Sequence, residues 1–308
     1  MTESVHAFER LSIVVPAFNE AQAVGPTLAE LVAATPGAEI ILIDDHSSDA
    51  TSTVARSVPG VTVRRHDFNR GQGASLKTGM RLATRDYVAW FDSDGEHRVE
   101  DLCRMYSRIL DEDLVAVIGQ RVNGSASATR AFGKWVIRLI GQSLKIKAGS
   151  DLNCGLRIFR RDAFARYAEL IPDRFSSSMV STLVLLERRY PIAFETIVTN
   201  PRIGHSTVQL KDGFEAILQL LRAVLLFSPM RFFLPLGGAA FALGVVYSLL
   251  MAASTGLGVP VAGLLLVVSG LLTIFFGLIA DQISQLRLNQ LNAAPPMERI
   301  DGDDRSTP

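Results

Sequence analysis

From Phe232 to Ala280 the chain runs for 49 residues without one Asp, Glu, Lys or Arg. About 20 apolar residues cross a bilayer core, so this run is too long for one span, and it divides itself. Residues 232–253 and 261–280 read as two transmembrane helices, and Ser254-Thr255-Gly256-Leu257-Gly258-Val259-Pro260 between them is a turn signal. Neither segment has a polar face, which argues against two buried helices of a soluble core. Arg222 and Arg231 precede the pair, Arg287 follows it, and the turn carries no charge. The positive-inside rule then places the rest of the protein, with both termini, in the cytoplasm. Hairpins of this size can associate into homo-oligomers to bury further surface.

All 62 charged residues therefore sit on the other 259 positions, about the one-quarter charged fraction of an ordinary soluble domain. Lys+Arg (31) and Asp+Glu (31) cancel, which argues against a nucleic-acid partner held by bulk positive charge. With 48% hydrophobic residues the chain is not disordered overall. Cys103 and Cys154 form no CxxC pair and no disulfide framework, as expected for a reducing compartment.

Residues 1–10 form a polar extension with no apolar core, so no signal peptide is expected. Short apolar runs at 11–16, 39–44, 61–65, 86–92 and 114–119 then alternate with helix-like segments near 21–34, 49–57, 73–83 and 98–111. That alternation predicts an open α/β sheet with mainly parallel strands over residues 11–212. In such a sheet ligands bind at the carboxyl ends of the strands, and three strand ends here carry acids or amides. They are Pro16-Ala17-Phe18-Asn19-Glu20, Asp44-Asp45 and Asp92-Ser93-Asp94. One such ending is ordinary helix capping; three on one edge favour a site.

Asp92-Ser93-Asp94 is the sharpest of these. Two carboxylates one residue apart suit a hard divalent cation, Mg2+ or Mn2+, which would neutralise a bound diphosphate, and Glu96 can add a third oxygen. The neighbouring His97 reads as a surface-loop histidine. Asn69-Arg70-Gly71-Gln72-Gly73 opens a helix, where small residues allow close backbone packing or approach to a phosphate. The stretch 114–150 holds six Lys and Arg and no acid. Within it Arg130, Lys134 and Arg138 recur every fourth residue opposite an apolar face containing Trp135, as a helix on an anionic membrane surface does. Residues 213–231 read as a juxtamembrane amphipathic helix and 281–308 as a cytoplasmic tail, Pro- and Asp-rich from Ala293.

Taken in order, these motifs, with Gly119-Gln120-Arg121 and Asp151-Leu152-Asn153-Cys154-Gly155-Leu156-Arg157, resemble an inverting family 2 glycosyltransferase of the GT-A fold. The closer similarity is to the polyprenyl-phosphate branch, which includes dolichol-phosphate mannose synthases and bacterial undecaprenyl-phosphate glycosyltransferases. The resemblance implies a nucleotide-sugar donor, a polyprenyl phosphate acceptor and a lipid bilayer as partners. It places Pro16, Phe18, Asn19, Glu20, Asp45, Gly71, Gly73 and Asp92 around the nucleotide-sugar, with Asp45 at the base. It assigns Asp92, Asp94 and Glu96 to the metal, Asp92, Asp94 and Asp151 to catalysis, and Arg121, Arg130, Lys134, Arg157 and Arg202 to the acceptor phosphate. Glu96 stands where the family usually has Gln, and Gln72 replaces a frequent Lys.

Two other readings stay open on the residues alone. One is a family 2 enzyme acting on a sugar hydroxyl; the other is a non-catalytic sugar-nucleotide-binding membrane module. The intact set Asp45, Asp92 and Asp94 speaks against the second. A phosphate acceptor needs cations more than a strong base, since its second pKa is about 6.

Overall fold

A computed structural model describes residues 8–121, 151, 154–174, 177–201, 229–256 and 258–292. Strands β1 (Leu11–Ala17), β2 (Glu39–Asp44), β3 (Val61–Arg65) and β4 (Tyr87–Trp90) alternate with helices α1 (Val24–Ala34), α2 (Thr51–Arg56), α3 (Gln72–Leu82) and α4 (Val99–Asp111). Then come β5 (Ala116–Arg121), β6 (Arg157–Arg160), α5 (Arg161–Phe164) with a 3-10 helix (Ala165–Leu170), α6 (Ser177–Glu187) and β7 (Ile192–Ile197). The seven strands form one sheet in the order β3-β2-β1-β4-β6-β5-β7.

β6 is the antiparallel member, paired to β4 on one side and β5 on the other. Its reversal has a consequence for the site. Arg157, its first residue, lies opposite Trp90, the last of β4. The Cys154-Gly155-Leu156 turn thus enters at the same edge where the parallel strands end.

Two apolar layers flank the sheet because adjacent strand residues point to opposite faces. Ile13, Val15 and Leu42 pack with Leu28 and Leu31 of α1 and Leu102, Met105 and Ile109 of α4. Val14, Ile41 and Ile43 pack with Leu76 and Met80 of α3 and Leu183 and Val184 of α6. β1 is buried along its whole length, which explains its unbroken apolar sequence.

Helices α7 (Pro229–Thr255) and α8 (Val261–Asn292) form the C-terminal hairpin. Each contains 26 residues of apolar helix, with mean hydropathy 1.9 and 2.5, and at 1.5 Å per residue each exceeds a hydrocarbon core of about 30 Å. Glycines seven apart line the seam between them: Gly237 and Gly244 on α7, Gly263 and Gly270 on α8. A Cβ on Gly237 would stand 2.7 Å from the Gly270 carbonyl oxygen, and one on Gly263 would stand 2.0 Å from Ser248 Oγ. Close backbone approach through small residues is how helices associate where no water drives burial. Leu243, Leu249, Leu265, Phe275, Phe276 and Ile279 face outward and exposed. α8 also touches the 3-10 helix after α5.

Candidate active site

The loops after β1 and β2 interlock. Asn19 adopts a left-handed backbone (φ 56°), its N–H donates to Ser47 Oγ at 2.9 Å, and its Oδ1 accepts the Ser48 N–H at 2.8 Å. The Glu20 N–H donates to Thr51 Oγ1 at 2.8 Å. Asp49 takes the Thr51 and Ala21 N–H groups at 2.9 and 3.1 Å. Desolvation opposes the charge on Asp49, yet the bonds from Thr51 and Ala21 hold its carboxyl below the usual range. Pro16 is buried in β1, and its carbonyl accepts the Ser93 hydroxyl at 2.9 Å, tying the turn after β4 to β1. Phe18 is exposed at the lip of this edge.

Asp45 is buried and works as a fastener. Its Oδ1 accepts the Arg70 N–H at 2.9 Å and faces His66 Nδ1 at 2.7 Å, and its Oδ2 accepts the Gly71 N–H at 2.6 Å. The glycine-rich turn is thereby pinned to the end of β2. Gly71 has φ 101°, and a Cβ on Gly73 would stand 1.8 Å from the Pro172 carbonyl oxygen. The Gly73 and Ala74 N–H groups donate to the Arg174 and Asp173 carbonyls at 3.4 and 2.8 Å. Of the two uses read for these glycines, this structure displays close packing: the amides that open α3 are taken by the chain's own carbonyls.

Asp92 follows Phe91 at the end of β4 and is partly exposed. Gln72 Nε2 donates to its Oδ1 at 3.0 Å, and His97 Nε2 faces its Oδ2 at 3.1 Å. A Cβ on Gly155 would stand 2.0 Å from the same Oδ2. Burial works against the charge on Asp92, but the bond and charge of His97, the Arg157 guanidinium and the Gln72 amide hold its carboxyl below the usual range. His97 corrects the sequence reading. It is 4% exposed and packs edge-on against Phe91, because the Gly95 turn (φ 75°) folds it back under Asp92.

Asp94 and Glu96 flank Gly95, and the Glu96 N–H donates to Asp94 Oδ1 at 3.1 Å. Among the described residues no three His, Cys, Asp or Glu side chains form a metal cage, so the trio Asp92, Asp94 and Glu96 is not assembled by the chain alone. The oxygens of Asp92 turn toward Gln72 and His97 instead. A cation that arrives with a diphosphate needs only one or two protein carboxylates, and Asp94 with Asp92 fits that arrangement.

Arg121, the last residue of β5, meets Asp151 through two bonds, Nε to Oδ2 at 2.6 Å and Nη2 to Oδ1 at 3.3 Å. The bond to Asp151 raises the Arg121 pKa further. The expected acceptor contact of Arg157 is contradicted. Its side chain is fully buried, donates to the Cys154 and Ser178 carbonyls, Ser181 Oγ and Thr182 Oγ1, and lies over the Trp90 ring at 5.7 Å. Desolvation lowers its pKa to about 10. β6 lies inside the sheet, with β5 and β7 between it and the nearer edge, and its first side chain points into the core. Arg157→Met is expected to lower stability by about 2 kcal/mol through the orphaned Cys154 carbonyl, read as a lower Tm in a thermal melt. Arg130, Lys134 and Arg202 lie outside the described residues, as does most of the stretch 114–150 and of the helix expected over 213–231.

Residues 12–168 match the family model described as glycosyl transferase family 2. The chain belongs to that family. A second match, over residues 228–286, is to the GtrB C-terminal hairpin. Among curated relatives of this family 2 chain, an uncharacterized protein of Methanocaldococcus jannaschii is 28% identical, over 69% of this chain and 91% of its own length. The dodecaprenyl-phosphate galacturonate synthase of Rhizobium johnstonii is 31% identical, over 64% of this chain and 58% of its own. The undecaprenyl-phosphate 4-deoxy-4-formamido-L-arabinose transferase of Sodalis glossinidius is 28% identical, over 79% and 76%. A solved structure of Mycobacterium tuberculosis glucosyl-3-phosphoglycerate synthase, with Mn2+, UDP-glucose and phosphoglyceric acid, superposes with a TM-score of 0.57 at 18% identity. It covers 70% of this chain and 78% of that one, a likeness of fold.

Proposed function

We propose that this glycosyltransferase moves a sugar from a UDP- or GDP-sugar to a polyprenyl phosphate at the cytoplasmic membrane face, with inversion. The observation that carries the reading is the joining, in one chain, of a strand-end carboxylate edge to an apolar helical hairpin. The names of relatives that are polyprenyl-phosphate sugar transferases support the acceptor class. The hairpin would hold the enzyme where its lipid substrate is, and the flanking arginines support the cytoplasmic orientation.

The chemistry is one in-line displacement. An acceptor phosphate oxygen forms a bond to the anomeric carbon as the bond from that carbon to the diphosphate breaks, and the electron pair leaves with the nucleoside diphosphate. The attacking phosphate is largely dianionic at neutral pH, so no side chain has to remove a proton from it. A divalent cation held by Asp94, with Asp92, would supply charge neutralisation for the leaving group. Asp92 orients the donor from the end of β4. Arg121, aligned by Asp151, supplies positive charge on the acceptor side, opposite the leaving group. Phe18 offers an apolar face at the lip for the nucleotide.

Purified full-length protein in detergent, given radiolabelled UDP- and GDP-sugars, undecaprenyl phosphate and Mg2+ or Mn2+, is expected to move label into the organic phase with one donor. Label that enters only a water-soluble glycan would select a hydroxyl acceptor and reject the lipid one.

A further inference from the structure

Three segments far apart in sequence converge on the two oxygens of Asp92. Gln72 brings an amide N–H to Oδ1 at 3.0 Å, and His97 brings Nε2 to Oδ2 at 3.1 Å. Gly155 leaves room for Oδ2 by lacking a Cβ. Each donor is itself anchored. Gln72 is exposed, but Gly71 before it is bonded to Asp45, and Gly73 and Ala74 after it are bonded to the carbonyls of Arg174 and Asp173. His97 is buried against Phe91, and its Nδ1 is buried with no partner among the described residues. A buried, half-satisfied imidazole is costly, so the bond to Asp92 is what the ring is placed to make. Facing a carboxylate, Nε2 is the nitrogen that carries the proton.

The terminal torsion of an Asp side chain is broad and roughly two-fold. One donor would leave it free to swing; one donor on each oxygen, both rigidly based, fixes it. We infer that Gln72 and His97 are positioning residues that together lock the orientation of the Asp92 carboxylate for the glycosyl transfer proposed above, on which this assignment rests. Gln72 then has a definite task in a turn where the family often has Lys. Asp45, some way from Asp92, contributes indirectly by setting the base from which Gln72 reaches.

The test uses the full-length protein with the donor that the wild type accepts. Gln72→Met and His97→Leu each remove one donor and are expected to lower kcat about tenfold, with the donor KM within about twofold. Their combination should fall well short of a hundredfold, because both act through one carboxylate. Gln72→Lys, which restores an N–H donor, should recover most of the rate. Crystal structures of the metal-free variants should show the Asp92 carboxylate rotated or in two orientations. Wild-type kcat in Gln72→Met, together with an unmoved Asp92, would overturn the assignment, and the exposed position of Gln72 keeps that variant foldable if His97→Leu is not. A wild type that transfers no sugar would defeat the proposed function, while the orientation of Asp92 in the variant structures would still decide this one.

Discussion

Asp94→Ala is expected to lower sugar transfer by about 10^3-fold or more while leaving the fold intact. Asp94 stands one residue beyond Ser93, whose hydroxyl is tied to the Pro16 carbonyl at 2.9 Å. That tie does not involve the Asp94 side chain. What the substitution removes structurally includes the acceptor of the Glu96 N–H, a partly exposed bond worth about 1 kcal/mol. What it removes chemically is the carboxylate that the proposed mechanism assigns to the cation. The check is a transfer assay beside a thermal melt: activity lost with Tm within a few degrees supports the role. Transfer near the wild-type rate would dismiss it. Glu96→Gln gives the contrast, since an amide oxygen can still ligate, and it should retain substantial activity.

The sequence displayed the edge on which this chemistry stands and concealed much of how that edge is built. β1 to β4 were legible because each is a short β-branched or aromatic run between helix-like segments, and the acids at their ends marked the carboxyl edge. β6 was not legible. Arg157-Ile158-Phe159-Arg160 is four residues framed by arginines, and nothing in its period says that the first guanidinium is buried over Trp90. That burial also undid the expectation for Arg157, since a cation in an acid- and amide-rich motif looks like a ligand group until the antiparallel register turns it inward. His97 misled in the opposite direction: one histidine after a Gly turn resembles a solvated loop residue, and only the positive φ of Gly95 brings it under Asp92. Gln72 was visible as a departure from the family pattern, but its partner lies 20 residues away, a contact that no local pattern announces.

The hairpin shows the same division between pattern and contact. Its length, lack of charge and central turn were plain, whereas α8 runs on from Ala280 to Asn292, through Asp281 and Arg287. A helix that leaves the bilayer does not have to end there, because its backbone bonds are satisfied within the helix in either solvent. α8 touches the 3-10 helix Ala165–Leu170, and the chain that follows supplies Pro172, Asp173 and Arg174 to the glycine-rich turn. One continuous segment thus lies between the hairpin and the turn that presents Gln72 to Asp92.

Gly155→Ala is expected to cost about 10^2-fold in kcat, the scale of a displacement of about 1 Å at a reacting site. The added Cβ would stand 2.0 Å from Asp92 Oδ2, 2.8 Å from its Cγ and 3.1 Å from its Oδ1, so the whole carboxylate must move. It cannot move without leaving Gln72 or His97, since these hold opposite oxygens. Nor can the Gly155 backbone easily retreat, because Leu156 next to it is buried and its carbonyl accepts the Gly119 N–H at 2.9 Å. The strain therefore falls on Asp92. Loss of stability should stay near 1–3 kcal/mol, the usual cost of overpacking, and a melt would separate it from the catalytic loss. The informative comparison is with Asp92→Ala in the same assay. If orientation of Asp92 is what Gly155 secures, Gly155→Ala should add little to the defect of Asp92→Ala, whereas independent multiplication of the two losses would mean that Gly155 serves the site by another route.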